Sequence, residues 1–570
     1  MESERSNLDK VPSNRVELIG GPTADLEDGH LEAPRLQESV AAMARRAGIH
    51  QWDLGAACSS DRSVQVDRGE AKQLKAAQRR SITVRVWNDA NRIGITSTSD
   101  LSEAGLARAL EGAKAASAFG NEDETPAFSP LATAPLPTLE QPLHPSLGIL
   151  KLLATLKEAE ADLLGRHPAI ATVPYNGLAE RSSERIYLNS DGACRQQRLT
   201  TASVYLYARA EESGRKPRSS GAVRLAYGAD GLDVAGCIEE AAERTIAHLD
   251  YGPIPTGQYT CVFSPEAFLD LIGAFSSLFN ARAVLDGVSL SSRDSIGQAL
   301  AVPFLAIHDN GLHPGNVGAS AFDGEGTPTR RLSLVEGGML RNFLHSEATA
   351  RAFGVEPTGH AGMGAKASVG ANWFEVGPSP ESGGGAGGLD RFLASRNGGQ
   401  GLVVIDSLSA LHAGVKASQG SFSLPFDGWW IRDGEQRSID AATVAGDIRT
   451  VLHSLLGFEG EAKITPDGLC PWVWVEGLAV TGDACAVGRR PPPPPRARGC
   501  RCLATRQAAA WNQHPSGHEN PVLGHPRLRP AEPGGPAGGR PSGGGCGEPA
   551  RPAPRTGQSP DGLAGEGTGP

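Results

Sequence analysis

Two carboxylates set between glycines, Asp323 and Glu325 in Ala321-Phe322-Asp323-Gly324-Glu325-Gly326-Thr327, stand out as groups whose type and spacing could do chemistry. On an irregular loop such acids can face a ligand or a partner chain; the plainer alternative is a glycine-rich turn with solvated acids. Histidines crowd the same region at His308, His313, His345 and His360, and three of them converging from loops would offer a metal site. Isolated histidines more often hydrogen-bond structurally. Cys470, between Gly468-Leu469 and Pro471-Trp472, is either a thiolate ligand or a small residue filling space at a strand start.

Other catalytic patterns are missing. Metal-dependent hydrolysis usually sets two His one helical turn apart beside a general base, yet no HExxH or HExxxH occurs, and His518-Glu519 lacks a second His. There is no GxxxxGK[ST] loop and no GxGxxG that follows a strand and opens a helix, which sets aside nucleotide hydrolysis and dinucleotide binding.

The elements that must hold these residues can be read around them. Arg331 to Glu336 alternates polar and apolar residues, Gly337-Gly338 suits a tight turn, and Met339 to Leu344 runs back, predicting a β-hairpin. Ser346 caps a short helix that Gly354 ends. Upstream, Gln258 to Phe263 is a short strand. Ser264-Pro265-Glu266 then starts an amphipathic helix, with Phe268, Leu271, Ile272, Phe275, Leu278 and Phe279 at helical spacing, running to about Asp286. Downstream strands at Gly401 to Leu411, Ser421 to Leu424, Gly428 to Arg432, Gln436 to Ile439 and Trp472 to Thr481 predict a closed or nearly closed antiparallel sheet.

The N-terminal half reads as two α+β units. The first has a helix at 37–47, strands around Asp53 to Asp67 and Ser81 to Asn88, and a helix from Ser102 to Phe119. Its link, Glu70 to Arg80, carries Lys72, Lys75, Arg79 and Arg80, a solvated strand face or a mark of an acidic ligand. The second repeats the outline of helix, antiparallel strands, helix from Leu147 to His248. The expected organisation is a loosely ordered leader (1–36), an α+β domain (37–120), a Pro/Thr/Ala-rich linker (121–146), a central α+β domain (147–251), a β-rich C-terminal domain (252–487) and a disordered tail (488–570). A glycine run at Gly383-Gly384-Gly385 predicts a flexible insertion before a helix at Arg391 to Ser395.

Composition narrows the function classes. A net charge of −10 over 570 residues argues against broad nucleic-acid or anionic-membrane binding. The charge is uneven. From residue 489 onward the chain holds seventeen of its 41 prolines, eleven Arg and no Lys against five acids, a composition that cannot bury enough apolar surface to fold. Nine scattered cysteines without a CxxC pair fit neither a disulfide framework nor a zinc ribbon. With no long apolar run and no signal-peptide core, the expectation is a cytoplasmic protein.

Several spaced segments resemble the TldD/PmbA family, once called modulators of DNA gyrase and understood as zinc-dependent peptidases and their partners. They are PIPTGQYTCVFSPEAF (Pro253 to Phe268), FDGEGTPTRRLSLVEGGML (Phe322 to Leu340), LHSEATARAFGVEPTGHAG (Leu344 to Gly362) and GVKASQGSFSLPFDGWWIRDGE (Gly414 to Glu435), and the likeness spans Gln37 to Gly482. In the family, the TldD-type subunit carries HExxxH on the helix after PxPTG, with a distant Cys ligand. Here the corresponding places are Leu278, Phe279 and Ala283, none able to bind zinc or act as a base, and only Cys470 sits roughly where the Cys ligand lies. The resemblance therefore implies the PmbA (TldE) branch: no catalytic residue, no metal and no cofactor in this chain, and zinc in a partner carrying HExxxH. The implied assembly is a heterodimer, or also a homodimer, that acts on unfolded or short peptides, with Asp323, Glu325 and His360 shaping the cleft or the partner interface. Two other readings stay open: a metallopeptidase with an unorthodox site built from His308, His345, His360 and Cys470, and a gyrase-associated regulator, which conflicts with the acidic body.

Overall fold

The computed structural model describes residues 32–120, 127–364, 368–380, 401–433 and 435–482. The tail, the glycine run, the helix expected at 391–395 and nearly all of the leader lie outside the described residues.

Helix α1 (Ala33–Arg46) leads into a long antiparallel ribbon of β1 (Gln51–Asp67) and β2 (Glu70–Trp87), which turns at Arg68 and Gly69, both at positive φ. The stretch expected to link two strands is thus itself strand. Its outer half is exposed, as a run with Lys72, Lys75, Arg79 and Arg80 requires, while Ile82 to Trp87 is buried. Then come β3 (Ile93–Thr98), α2 (Glu103–Ser117), α3 (Ile149–Gly165), β4 (Ile170–Asn189), β5 (Cys194–Ala210), β6 (Arg218–Ala226) and α4 (Val234–Ala247). The strand order is β3-β2-β1-β4-β5-β6, and β1 pairs with β4 from Asp53↔Asn189 to Val64↔Leu178. The two α+β units therefore share one six-stranded sheet. Helices α1 and α2 cover one half of it through Val40, Met43, Leu106 and Leu110. The other half lies under α3 and α4 through Leu152, Leu156, Leu163 and Ile238.

The described part of the expected linker is packed, not free. Ala132 is buried against Tyr187 and Phe322, Ser129 accepts a hydrogen bond from Thr327 Oγ1 at 2.8 Å, and Arg195 donates to the Ala134 carbonyl. Its prolines lack N–H donors and so give an irregular strap held by side chains.

After β7 (Tyr251–Gly252) comes β8 (Gly257–Phe263) and then α5 (Pro265–Ala274), where Ser264 Oγ accepts from the Ala267 N–H as expected of a cap. The helix does not run on to Asp286. It stops at Phe275, continues as a 3-10 turn over Ser276–Phe279, and a new helix α6 (Ala281–Leu285) begins under the Asn280 cap. The reason is local. Asn280 is extended and bridged to Leu344, with the Ala281 N–H bonded to the Leu344 carbonyl and the Leu344 N–H to the Phe279 carbonyl, so these backbone groups are taken from the helix.

The hairpin forms where expected, as β10 (Arg331–Glu336) and β11 (Met339–Leu340) beside β9 (Leu305–Asn310), with Gly337 and Gly338 both at positive φ. Helix α7 (Glu347–Phe353) is capped by Ser346 and ended by Gly354 in the left-handed conformation. The short β12 (Ala361–Gly362) and β13 (Ser368–Val369) pair, and β14 (Phe374–Pro378) joins β9. Of the remaining strands, β15 (Leu402–Leu408), β17 (Ser421–Arg432), β19 (Ala442–Asp447) and β21 (Gly468–Gly482) close a ring with β8, while β16 (Val415–Lys416), β18 (Glu435–Ile439) and β20 (Leu455–Thr465) flank it. The five-stranded barrel is antiparallel except between β8 and β15. The whole is an α+β fold.

Barrel closure brings β17 against β15 at Gly428, where a Cβ would lie 1.9 Å from the Val404 carbonyl oxygen. Gly428→Ala is expected to lower stability by about 2 kcal/mol or more and the calorimetric midpoint by several degrees. Gly273→Ala, in helix α5 with open space at Cβ, is expected to leave the midpoint unchanged or raise it.

Candidate functional site

Between the sheet and the barrel lies a cavity of about 680 Å3. Arg185, Val223 and Leu225 reach it from the sheet, Leu269, Asp270 and Gly273 from α5, and the loops around Asp323, His360 and Trp373 complete the wall.

The loop carrying Asp323 and Glu325 is neither solvated nor open to a ligand on both acids. Glu325 is fully buried over the sheet, its Oε1 3.9 Å from Arg85 Nη1 and its Oε2 accepting the Glu347 N–H at 2.8 Å at the start of α7. Arg85, also fully buried, donates from Nε to Asp53 Oδ1 at 2.9 Å and from Nη1 to the Gly364 carbonyl at 3.0 Å. Tyr187 donates to Asp53 Oδ2 at 3.1 Å. Burial works against the Arg85 charge, but Asp53 and Glu325 outweigh it and raise its pKa. Burial pushes Glu325 up to about 8, against the pull of Arg85. Asp323 lines the cavity, but its carboxylate is engaged: Oδ1 accepts from the Glu325 and Thr327 N–H groups at 2.8 and 3.0 Å, and Oδ2 from the Ala361 N–H at 2.9 Å. Burial nevertheless raises its pKa.

The histidines and the cysteine do not gather into one site, although His345 and His360 are neighbours that share Thr358. His360 faces the cavity with both ring nitrogens engaged, Nε2 with Asp309 Oδ1 at 2.9 Å and Nδ1 with Thr358 Oγ1 at 2.8 Å, so neither is left for a substrate or a metal. Asp309 is held in turn by the Asn372 N–H at 2.6 Å. His345 sits among Phe343 and Phe353, with Nδ1 3.2 Å from Thr349 Oγ1, and burial followed by the nearby His360 lowers its pKa to about 4. On β9 rather than a loop, His308 pairs with Glu336 at 3.2 Å, and burial, then Arg331, lowers its pKa. Cys470 is buried in the barrel core, where burial pushes the thiol well above its usual range. Among the described residues, no three His, Cys, Asp or Glu side chains come together in a way that could hold a metal ion. Leu278 and Phe279 are buried in the barrel-side core, and neither they nor Ala283 has a donor atom; these positions do not fit zinc.

The residues that organise this region were not singled out from sequence. Asp53, Arg85, Arg185 and Tyr187 come from strands up to 272 residues away from Glu325, and no spacing rule links them. Strand alternation puts Asp53 and Arg85, register partners across β1 and β2, on the face opposite the apolar Leu54, Ile82 and Val84, where charged residues are ordinarily solvated, so no local signal marked them as buried.

Three successive family models match: PmbA/TldA metallopeptidase domain 1 over 59–117, the central domain over 143–249 and the C-terminal domain over 256–482. The chain belongs to the PmbA/TldD family. A relative in Escherichia coli O157:H7, "Metalloprotease PmbA", is 22% identical over 488 residues, spanning 85% of this chain and 98% of that protein. A "Metalloprotease PmbA homolog" from Haemophilus influenzae is 23% identical, spanning 64% of this chain and 77% of its own. Among solved structures, a putative modulator of a DNA gyrase from Thermotoga maritima superposes with a TM-score of 0.69 at 23% identity, over 79% of this chain and 100% of its own. TldE from Thermococcus kodakarensis superposes with a TM-score of 0.65 at 18% identity, over 79% and 100%. At these identities the two structures establish the PmbA/TldD fold.

The elevated Glu325 value gives a stability slope with a definite sign. Between its ordinary 4.5 and about 8, folded PmbA/TldD-type protein holds a proton that the unfolded chain has lost. That contribution is complete below about 4.5 and is lost as pH rises through about 8. Thermal midpoints at pH 6 and pH 8.5 are expected to differ less in Glu325→Gln than in the parent, because the amide cannot ionise.

Proposed function

We propose that this chain is the PmbA/TldE-type subunit of a cytosolic TldD-type zinc metallopeptidase complex, acting on unfolded or short peptides in peptide maturation and small-protein turnover. Its role is to pair with a homologue that carries HExxxH and zinc and to complete the cleft in which the peptide is cut. The observation that carries this reading is the state of the segment 278–283. Leu278 and Phe279 fill the core at 1% and 0% exposure, and the backbone there is a 3-10 turn followed by an extended Asn280. Burying each such side chain contributes about 1.5–3 kcal/mol, so apolar residues here serve packing. The engaged nitrogens of His360 and the burial that pushes the Cys470 thiol well above its usual range support the same reading. Among the described residues no helix is long and apolar enough to cross a membrane.

Purified alone, the chain is expected to contain no stoichiometric zinc by metal analysis and to leave a fluorogenic peptide uncut. Co-expressed with a HExxxH homologue, it is expected to co-purify and to yield zinc-dependent cleavage. Stoichiometric zinc with peptidase activity in the chain alone would overturn the assignment.

A further inference from the structure

Two arginines of the sheet point toward the loop of Asp323 and Glu325, and their surroundings differ. Arg85 is compensated by the Asp53 carboxylate and donates to the Gly364 carbonyl, with Glu325 Oε1 3.9 Å away. Arg185, on β4, donates one hydrogen bond, from Nη1 to Ser320 Oγ at 2.8 Å, and lies 5.6 Å over the Phe322 ring. No carboxylate among the described residues lies within ion-pair distance of it. Asp323, the acid whose charge acts on it, already accepts three backbone N–H groups. A guanidinium has five N–H donors in a planar fork that suits a carboxylate, and here most of them have no partner among the described residues. Half-buried at the wall of a low-dielectric cavity, an uncompensated cation is costly unless an anion enters beside it. Burial lowers the Arg185 pKa, with Asp323 only partly opposing, as expected of a charge short of a counter-ion.

The rest of the cavity indicates what would carry that anion. Val223, Leu225, Leu269 and Trp373 are apolar or aromatic, and Gly311 and Gly370 expose backbone. The volume of about 680 Å3 falls within the range of about 300–1,000 Å3 usual for ligand cavities. Asp270 and Asp467 also line it, from other walls, so a bare inorganic anion gains little from the cavity as a whole.

We propose that this cavity binds the carboxylate of a short extended peptide, with the Arg185 guanidinium as the group that receives it and the apolar walls as the bed for the adjoining side chains. That the ligand is a peptide rests on the function proposed above. The selection of an organic carboxylate by Arg185 does not.

Isothermal titration calorimetry on the full chain tests this with three probes: acetyl-Leu-Ala-Leu as the free acid, the same peptide as its amide, and acetyl-Leu-Glu-Leu amide. The free acid is expected to bind about tenfold or more tighter than its amide. The third probe tells whether a side-chain carboxylate serves as well as a terminal one. Arg185→Gln is expected to remove the preference for the acid. Gly273→Phe, which projects from α5 where a Cβ meets open space, is expected to remove binding of both while the protein still melts cooperatively. Equal binding of acid and amide, no binding of either, a preference that survives Arg185→Gln, or binding that survives Gly273→Phe would overturn the proposal. If Arg185→Gln does not fold, the acid–amide comparison and Gly273→Phe still decide it. Absence of an acid preference in the parent chain, where that chain still pairs with a HExxxH homologue, refutes this inference alone; zinc and activity in the isolated chain refute the subunit assignment alone.

Discussion

The structure depends on neutralising charge buried at Arg85. The Arg85 guanidinium and the Asp53 carboxylate are removed from water together with the Glu325 carboxyl, which burial keeps protonated below about pH 8, and taking away one member of such a cluster costs about 3–5 kcal/mol because the groups left behind stay buried without their partner. Asp53 and Arg85 belong to the sheet and Glu325 to the loop before the hairpin, so the cluster can be satisfied only when that loop is seated on the sheet. Seating it sets several other elements. Glu325 holds the first N–H of α7, Thr327 holds the strap at Ser129, and Asp323 fixes the backbone at Ala361 beside the cavity.

A second set of charges joins the same two parts at another place. Arg218 donates to the Ile439 and Asp440 carbonyls at 3.0 and 2.8 Å, and Arg244 reaches Glu266 at 2.8 Å and Asp406 at 3.8 Å. Burial raises Asp406 to about 6 despite Arg244. With one latch at Arg85 and another at Arg218 and Arg244, the sheet and the barrel are held at two separated points. The cavity between them thus has walls fixed from both sides, a condition for recognising a ligand through fixed side chains.

Much of this was legible in the sequence, and the limits have physical causes. The hairpin, the Ser264 and Ser346 caps and the Gly354 stop depend on residues near one another in the chain, and each formed as their propensities dictate; the closed sheet was anticipated from its separate strand runs, although its closure pairs β8 with β15 and β21 far along the chain. What was not legible depends on long-range pairing. The sequence alone does not say that β1 pairs with β4 and merges two units into one sheet, or that the Pro-rich stretch before α3 packs on Tyr187 and Phe322. Glu325 was recognised as chemically unusual because of its glycines, but its partner Arg85 lies 240 residues earlier and no local signal marks it as buried. The helix expected through Asp286 had the right apolar spacing. It broke because Leu344, distant in sequence, offers Phe279 and Ala281 better hydrogen-bond partners.

That break bears on how far the chain stands from a zinc-binding one. In HExxxH the two His are five residues apart, about 140° around a regular α-helix, so both can face one ion only where the helix is broken or unwound between them. Here the first His and the Glu positions lie on a 3-10 turn and the second His position on α6, with an extended residue between them whose side chain caps α6 and also donates to the Val369 carbonyl at 2.8 Å. Replacing the three side chains would leave that backbone in place, because it is held by Leu344 and Val369, not by Leu278, Phe279 or Ala283. It is the side chains, not the backbone, that leave positions 278, 279 and 283 without a donor atom. The surfaces that remain shaped for a ligand are those around Arg185.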